Sequence, residues 1–251
     1  MPRILIADDN PLSLQFFATV LAEYGFACET AADGADALRR ASDEHFDLLL
    51  LDLNMPQLGG PEVLQRLRAD PATLSHASAS IATSAEMHQS TSNQLLQNGF
   101  SATLPKPVSI QVLIEVVRQV LHLTPAEDVL VDAVSARTAK AIDETVLLDD
   151  AQALSSCGDT DVVQAMRAQF VEELALLPDE LRDGAAHHDD QRLRERVHRL
   201  RASCGFCGAI ALNRACLAWS DAALQPAGTQ AALERVIDIA VATRARLQAT
   251  G

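Results

Sequence analysis

The first half of the chain alternates short apolar runs with longer amphipathic segments. Apolar runs at 4–7, 47–51, 79–83 and 101–104 predict strands, and segments at 11–24, 33–43, 60–69, 87–98 and 108–122 predict helices. This alternation is typical of βαβ units, and we expect five strands and five helices in all. The run at 47–51 is apolar after its first residue, which indicates a central parallel strand with Asp52 at its carboxyl end.

The first predicted helix has recognisable features. Asn10 can cap it, and Pro11 suits its first position because the amide hydrogen that proline lacks would be unpaired there. Phe16, Val20 and Tyr24 recur at helical spacing and are expected to share one face.

The second half shows apolar residues at helical spacing. Residues 123–142 combine Pro125, small residues and scattered charges without periodicity, which predicts a linker between a first domain at 1–122 and a second at 143–251. Three apolar stripes and a last helix of about 20 residues predict an all-α four-helix bundle. The apolar positions are Phe170, Leu174, Leu177 and Leu181; Leu193, Val197, Leu200 and Cys204; Leu212, Cys216 and Trp219; and Leu233, Ile237, Ala240 and Leu247.

Composition narrows the function classes. Of the 251 residues 48% are hydrophobic, the formal net charge is −14, and both halves are acidic. We therefore expect two cores of ordinary size and no nucleic-acid partner. No leader-like segment or membrane-length apolar run is present, so we expect a cytoplasmic protein without membrane insertion. The five scattered cysteines suit small buried hydrophobes in a reducing compartment.

Chemically functional side chains follow the predicted strands. Asp8 and Asp9 come after the first, Asp52 after the third, Ser84 after the fourth and Lys106 after the fifth. Ligands of open parallel sheets gather at the carboxyl ends of strands, so these side chains are expected to converge. Three close carboxylates repel one another unless a hard cation is present, which predicts a Mg²⁺ site. One carboxylate there can attack phosphorus while the hydroxyl and the ammonium hold the phosphoryl oxygens.

Any one of these residues alone is more often a solvated loop residue, and only their joint occurrence favours a site. Lys106 is informative because the chain has only two lysines, and its bond to Pro107 can be cis, which would fix the loop. The segments ADDN at 7–10, DLNMPQLGG at 52–60, SAE at 84–86 and LPKPV at 104–108 closely resemble the motifs of the response-regulator receiver domain. The resemblance covers residues 1 to about 122 and implies a flavodoxin-like, doubly wound α/β fold with a five-stranded parallel sheet of order 2-1-3-4-5.

The receiver resemblance also implies a role for each residue. Asp52 is the phosphoacceptor, and Asp9 and Asp52 bind Mg²⁺ through their carboxylates. Asp8 acts mainly through water, and Asn54 contributes its backbone carbonyl. Ser84 matches the switch hydroxyl.

Other positions of the receiver resemblance concern the switch and its lifetime. Lys106 matches the cation that pairs with the phosphoryl group, and Thr83 is set aside in favour of the hydroxyl that follows it. Thr103 stands where many members carry an aromatic residue whose rotation reports phosphorylation, which puts that readout in doubt. Asn54 and Glu86 occupy positions that influence how fast the phosphoryl group is lost and resemble the short-lived chemotaxis receivers.

A second constellation lies on the predicted helix at about 190–204. Its apolar stripe faces inward, which turns Arg194, His198, Arg201 and Ala202 outward. An exposed helical histidine usually has no function, but this one is surrounded by arginines in an acidic chain. They are Arg192, Arg194, Arg196, Arg199 and Arg201. A neutral imidazole can accept phosphoryl at nitrogen, and guanidinium groups would hold its oxygens and attract an acidic receiver face.

The segment VHRLRASCGFCGA at 197–209 resembles the signature of the histidine phosphotransfer domain. His198, Leu200, Ser203 and Gly208 match that signature. Ala202 replaces a glycine that lets a partner receiver approach the imidazole, which is expected to narrow partner choice or slow transfer. The resemblance implies that His198 carries phosphoryl. The residues expected to contact the phosphoryl group or the partner are Arg194, Ser203 and Arg201, which stands where lysine is usual.

Two weaker patterns have simpler explanations. Cys204 and Cys207 form a CxxC without a second cysteine pair, so core packing is favoured over redox or zinc chemistry. The run HHDD at 187–190 looks like a metal cluster, but its place between two amphipathic segments predicts an interhelical turn with a helix cap.

The leading functional hypothesis is a two-component phosphorelay protein. Asp52 would accept phosphoryl from a histidine, and His198 would exchange it with an aspartate on this chain or on a partner. The expected partners are a sensor or hybrid histidine kinase and a partner receiver or phosphotransfer domain, and no kinase core is predicted. Self-phosphorylation and autodephosphorylation, rather than turnover, would be its chemistry.

Two alternatives remain. One is an adaptor, gated by phosphorylation or independent of it, in which one module is degenerate. The other is a phosphatase of the haloacid dehalogenase type, which needs an acid two residues after the nucleophile, where this chain has Asn54. The sequence leaves open the direction of phosphoryl flow and whether Asp52 and His198 exchange within the chain.

Overall fold

The computed structural model of the protein describes residues 1–85, 89–123, 146–223 and 229–250. Its first half is a five-stranded parallel sheet of order β2-β1-β3-β4-β5, which confirms the predicted fold. The strands are β1 (Arg3–Ala7), β2 (Ala27–Ala31), β3 (Leu48–Asp52), β4 (Ala79–Ser84) and β5 (Ala102–Pro105). The helices of this sheet half are α1 (Pro11–Glu23), α2 (Gly34–Asp43), α3 (Gly60–Ala69), α4 (Gln89–Gln97) and α5 (Ile110–Val120).

Helices cover both faces of the sheet. Successive strand residues point to opposite faces, so Ile6 and Leu50 pack beneath α1 and α5, whereas Leu5 and Leu49 pack against α2, α3 and α4. Every residue of β3 is buried, which explains its continuously apolar sequence.

The start of α1 follows its predicted signals. The Asn10 side chain accepts a hydrogen bond from the amide of Ser13, and Pro11 occupies the first helical position. Phe16 is buried as expected, but Tyr24 is 46% exposed. Tyr24 leaves the buried face because α1 ends at Glu23 and Tyr24 is already its C-cap residue.

The second half is helical. Its helices are α6 (Asp150–Cys157), α7 (Thr160–Ala186), α8 (Asp190–Cys207), α9 (Ile210–Ala222) and α10 (Thr229–Thr250). Helices α7 to α10 pack in a ring that closes where α10 meets α7, and the short helix α6, which the sequence did not predict, lies across α7 and α8. All the apolar positions predicted for the bundle are buried. Among the described helices, none is both long and apolar enough to cross a membrane.

The smaller predictions have mixed outcomes. The run at 187–190 forms the turn between α7 and α8, where Asp189 caps α8 by accepting from the amide of Arg192. Cys204 and Cys207 are buried in the core of the bundle, as predicted, and burial raises their pKa well above the usual value. Glu86 and the predicted linker at 123–142, apart from its first residue, lie outside the described residues.

The bundle packs directly on the sheet half. One continuous apolar cluster includes the α1 and α5 side of the sheet together with the core of the bundle. Phe206 of α8 stacks against Phe16 of α1, with ring centroids 4.7 Å apart, and meets the edge of Phe17 at 6.5 Å. Asn10, which directly follows Asp8 and Asp9, hydrogen-bonds to α8, so this helix lies against the end of the sheet half that carries the predicted chemistry.

Candidate functional site

An acidic pocket opens at the carboxyl ends of the strands. Carboxylate oxygens of Asp8, Asp9 and Asp52 lie within 4.8 Å of one another. The Lys106 ammonium lies 2.5 Å from Asp8 Oδ2 and 2.5 Å from Asp52 Oδ1. The side chains of Asp8 and Asp52 are each only 2% exposed. Residues from three separate strand ends thus meet in one place, because the strands are parallel and end at the same edge.

The loop after β5 brings Lys106 to the pocket. The amide of Lys106 donates to the carbonyl of Ser84, the last residue of β4, at 2.8 Å. The peptide bond between Lys106 and Pro107 is cis, as the sequence analysis anticipated. Ser84 itself is buried at this edge, next to the strand that ends in Asp52.

The pocket carries more negative than positive charge. Burial, reinforced by the charges of Asp52 and Asp8, raises the pKa of Asp9 to about 7. Burial also raises the pKa of Asp8 to about 6, although Lys106 opposes the shift. Burial alone would lower the pKa of Lys106, but the two adjacent carboxylates raise it, so the ammonium stays charged. Three carboxylates beside one ammonium are a donor set that fits a hard divalent cation.

Two hydroxyl groups have partners that the sequence did not reveal. Thr83 donates from Oγ1 to Asp52 Oδ1 at 3.5 Å, although the sequence analysis set it aside in favour of Ser84. The parallel register that aligns Asp52 with Thr83 explains this contact. Thr103, which replaces the expected aromatic residue, hydrogen-bonds the Ser92 hydroxyl of α4 at 2.5 Å.

His198 lies at the mouth of the acidic pocket. Its Nε2 is 3.5 Å from Nδ2 of Asn54, whose backbone amide in turn donates to Asp52 Oδ2 at 3.0 Å. Burial lowers the pKa of His198, with Asp52 opposing the shift, which favours the neutral imidazole. Asp9, Asn54, His198 and the exposed Arg194 line a cleft of about 570 Å³ between the sheet half and the bundle.

The predicted outward face of α8 is largely covered. Arg201 and Ala202 are 8% and 4% exposed, so the expectation that they face outward was wrong. Helix α9 packs along this side of α8, and Nε of Arg201 donates to Asn213 Oδ1 of α9 at 3.5 Å. His198 is only partly exposed.

Three other arginines of the predicted basic patch, Arg192, Arg196 and Arg199, have acidic partners. Arg196 pairs with Glu173 and Glu180 of α7 at 2.8 and 2.6 Å, and its side chain is only 13% exposed. Arg192 pairs with Asp183 of α7 at 3.1 Å. Arg199 points instead to the acidic pocket, with its Nε 3.5 Å from Asp9 Oδ2. Two arginines of the patch thus form ion pairs within the bundle, and one is directed at the sheet half.

Asn10 connects the two halves. Its Nδ2 donates to the carbonyl of Arg199 at 2.7 Å and to Oγ of Ser203 at 2.8 Å, while its Oδ1 caps α1. The sequence identified Asn10 only as a helix cap, because nothing near it in the chain points to α8. Ser203, predicted to contact a partner or the phosphoryl group, is fully buried in this contact.

Comparison with known proteins finds a known domain in the first half. Residues 4–118 match the response regulator receiver domain. The sensor protein GacS of Pseudomonas syringae pv. syringae is 30% identical over 220 residues, which are 86% of this chain and 24% of that protein. The sensor histidine kinase RcsC of Escherichia coli (strain K12) is 36% identical over 110 residues, which are 44% of this chain and 11% of that protein. The chain thus spans about a quarter or less of these relatives, and the likeness to GacS extends past the sheet half into the bundle.

Solved structures also resemble the first half. The receiver domain of the Francisella response regulator 1452 is 30% identical, with a TM-score of 0.46, and covers 50% of this chain and 100% of its own. The receiver domain of the sensor histidine kinase PA1611 from Pseudomonas aeruginosa PAO1, which has a magnesium ion coordinated in its active site cleft, is 26% identical with a TM-score of 0.44. That match covers 48% of this chain and 98% of the other.

Proposed function

We propose that this chain, in which residues 4–118 are a response regulator receiver domain related to the receivers of hybrid sensor kinases, relays phosphoryl groups between Asp52 and histidines. Residues 143–251 would form a histidine phosphotransfer domain that carries phosphoryl on His198, joined to the receiver by 123–142. The observation that carries the proposal is the proximity of the two candidate acceptors, His198 and Asp52. His198 Nε2 lies 3.5 Å from the side chain of Asn54, whose backbone amide donates to Asp52 Oδ2.

Asp52 has the surroundings that a phosphoryl acceptor needs. In the proposed step a carboxylate oxygen of Asp52 forms a bond to phosphorus while the bond from phosphorus to the donor breaks. The Lys106 ammonium, 2.5 Å from Asp52 Oδ1, would compensate the negative charge of the phosphoryl oxygens. The buried hydroxyl of Ser84 would hydrogen-bond one of those oxygens.

The acidic residues support a Mg²⁺ site. Asp9 and Asp52 would hold the ion through their carboxylates, Asn54 through its backbone carbonyl, and Asp8 mainly through water. When bound, Mg²⁺ neutralises the charge that develops on the transferred group. Burial, together with the neighbouring carboxylates, raises the pKa of Asp8 and Asp9 even though Lys106 opposes the shift, and a bound cation would lower both.

His198 has the properties of a nitrogen acceptor. Its pKa lies below the usual value, so the lone pair on the ring is available near neutral pH. Arg194, which is exposed and lines the same cleft, would contact the phosphoryl oxygens. Arg201, which lines the same cleft, and Ser203, which accepts a hydrogen bond from Asn10, are proposed to position the receiver. A sensor or hybrid histidine kinase would supply phosphoryl to the relay.

The proposal is tested on the intact chain with labelled acetyl phosphate and Mg²⁺. Mass spectrometry should show phosphorylation that disappears in Asp52→Asn. Acid-labile, base-stable label, which is the behaviour of phosphohistidine, should appear in the wild type and be absent from His198→Gln. Label of this kind in His198→Gln, or no Asp52-dependent label in any chain, would contradict the relay and leave the adaptor alternative.

A further inference from the structure

We infer that His198 exchanges phosphoryl with Asp52 of its own chain, because α8 carries a docking surface for the receiver that seats His198 at the Asp52 pocket and closes this pocket to other proteins. The inference rests on the proposed function and identifies the partner aspartate. The apolar part of the docking surface comprises Gly205 and Phe206 of α8 on one side, and Phe16, Phe17 and Pro107 of the receiver on the other. Its polar part comprises Asn10 of the receiver and its two partners on α8, Arg199 and Ser203.

The apolar part of the docking surface is closely packed. Phe206 is fully buried and packs against the rings of both Phe16 and Phe17. A Cβ atom at Gly205 would lie 3.2 to 3.3 Å from three carbons of the Pro107 ring, which is closer than ordinary van der Waals contact. Pro107 directly follows Lys106, so α8 packs against the same loop that delivers the ammonium to Asp52.

The polar part fixes the register of α8. The two hydrogen bonds from Asn10 Nδ2 reach Arg199 and Ser203, which lie one and five residues after His198. Asn10 itself follows Asp8 and Asp9, and its amide donates to Asp8 Oδ1 at 3.0 Å. The contact therefore connects the acidic pocket to the turn of α8 that bears the imidazole, and Asn10 is a positioning residue.

The docked bundle also covers the receiver pocket. Asp52 is 1% exposed, and Arg199 of α8 reaches Asp9 with its guanidinium. A small phosphodonor can enter the cleft of about 570 Å³. While α8 is docked across the opening, a helix of another protein cannot present a phosphohistidine to Asp52, so a histidine kinase would phosphorylate the undocked chain.

The transfer within the chain is balanced without further reactants. The bond between phosphorus and the Asp52 oxygen breaks, and its electron pair returns to the carboxylate. The lone pair of His198 Nε2 forms the new bond to phosphorus, while Nδ1 keeps its proton, so the product is a phosphorylated imidazolium. The reverse transfer uses the same atoms.

Transfer within a chain is distinguished from transfer between chains with two variants that each lack one acceptor, Asp52→Asn and His198→Gln. The intact chain is phosphorylated with labelled acetyl phosphate and Mg²⁺, and the appearance of acid-labile label is followed over a wide range of protein concentration. We expect a rate that is independent of concentration. A mixture of Asp52→Asn and His198→Gln chains should transfer in proportion to concentration and, for an effective concentration of ~1 mM, at least about 1000-fold more slowly at ~1 μM protein, since docking also closes the acceptor pocket.

Gly205→Leu tests the docking surface. The three atoms nearest to a Cβ at this position all belong to Pro107, so the larger side chain should separate α8 from the receiver while sparing the bundle core. We expect ordinary phosphorylation of Asp52 by acetyl phosphate, with transfer to His198 slowed at least about tenfold. Leu176→Trp, at a position of α7 that is 63% exposed, is the control for added bulk and should transfer at the wild-type rate.

Closure of the pocket is tested between chains. The donor is Asp52→Asn, Gly205→Leu phosphorylated on His198 by phosphoramidate, and the acceptor is His198→Gln with or without Gly205→Leu. The acceptor that carries Gly205→Leu, in which α8 is separated from the receiver, should be phosphorylated at least about tenfold faster than His198→Gln alone. Asn10→Ser replaces Gly205→Leu in both assays if circular dichroism shows that the leucine variant is misfolded.

The outcomes separate the two proposals. Three results would overturn the inference while the relay itself stands. They are a transfer rate in the wild type that scales with concentration, transfer at the wild-type rate in Gly205→Leu, and equal rates for the two acceptors. The absence of phosphoryl from both Asp52 and His198 would instead refute the proposed function.

Discussion

Asn10→Ser should weaken docking without weakening α1. Serine caps helices about as well as asparagine, so the bond from Ser13 to the cap is replaced, but the shorter side chain cannot donate to Arg199 and Ser203. Each of these two hydrogen bonds contributes about 1 kcal/mol net, so about 2 kcal/mol of docking free energy is lost. The population of undocked chains should then rise about 30-fold.

The assay is the phosphorylation of Asp52 by a second chain. Its rate is proportional to the undocked fraction as long as docking predominates, so a His198→Gln acceptor that also carries Asn10→Ser should react about 30-fold faster than His198→Gln alone. Phosphorylation of the same acceptors by acetyl phosphate is the control and should not change, because the small donor enters the closed cleft.

Asn10→Ala separates the two functions of the side chain. It loses the same two bonds to α8 and also the helix cap, which costs about 1 kcal/mol of stability. We expect the same increase in transfer between chains as for serine, but a lower urea midpoint. The reasoning is refuted if serine leaves the transfer rate unchanged, or if only alanine increases it.

Three further predictions concern the pocket and the fold. Lys106→Met leaves the buried carboxylates uncompensated, so urea unfolding at neutral pH should show that the free energy of unfolding falls by about 3 to 5 kcal/mol. Added Mg²⁺ should reduce this loss, and a loss that Mg²⁺ does not change would count against the metal site. Because the pKa of Asp9 is raised to about 7 and that of Asp8 to about 6, the native metal-free chain binds more protons than the unfolded chain above about pH 4. Its unfolding free energy should therefore fall as the pH rises from about 4 to 7, and a stability that rises over this interval would contradict the raised pKa of the two aspartates. Over the same interval the affinity for Mg²⁺ should rise, and binding should release protons, which calorimetry in two buffers measures. Gly34→Ala would place a Cβ 1.9 Å from the carbonyl oxygen of Leu58, so a thermal melt should show a loss of more than about 2 kcal/mol, and a melt like that of the wild type would refute the close approach.

The sheet and its acidic pocket were predictable because their signals are local. An apolar run that ends in a charged residue gives both the strand and the edge at which Asp52, Asp8 and Lys106 meet. The bundle's inward stripes were predictable for the same reason, since a period of 3.6 residues identifies one buried face for each helix. The contact of Thr83 with Asp52 was missed because it depends on the register between two strands.

The second face of α8 was not predictable from periodicity alone. Every residue from 200 to 212 is buried, so the end of this helix has no solvent face. The stripe identified the side that faces the bundle, and the rest was assigned to solvent by default, which misplaced Arg201 and Ala202. A signal was nonetheless present, since the segment ASCGFCGAIAL at 202–212 contains no charged residue. A helix end that is apolar all round indicates a neighbour on its second side.

The apolar character of this contact also gives the chain a thermal response. Separating α8 from α1 exposes the rings of Phe206 and Phe16 to water, and newly hydrated apolar surface increases the heat capacity. The free energy of separation is therefore a curved function of temperature, and apolar burial contributes less to it as the chain is cooled. Cooling should loosen the contact between Phe206 and the receiver even though the acidic pocket itself is unchanged.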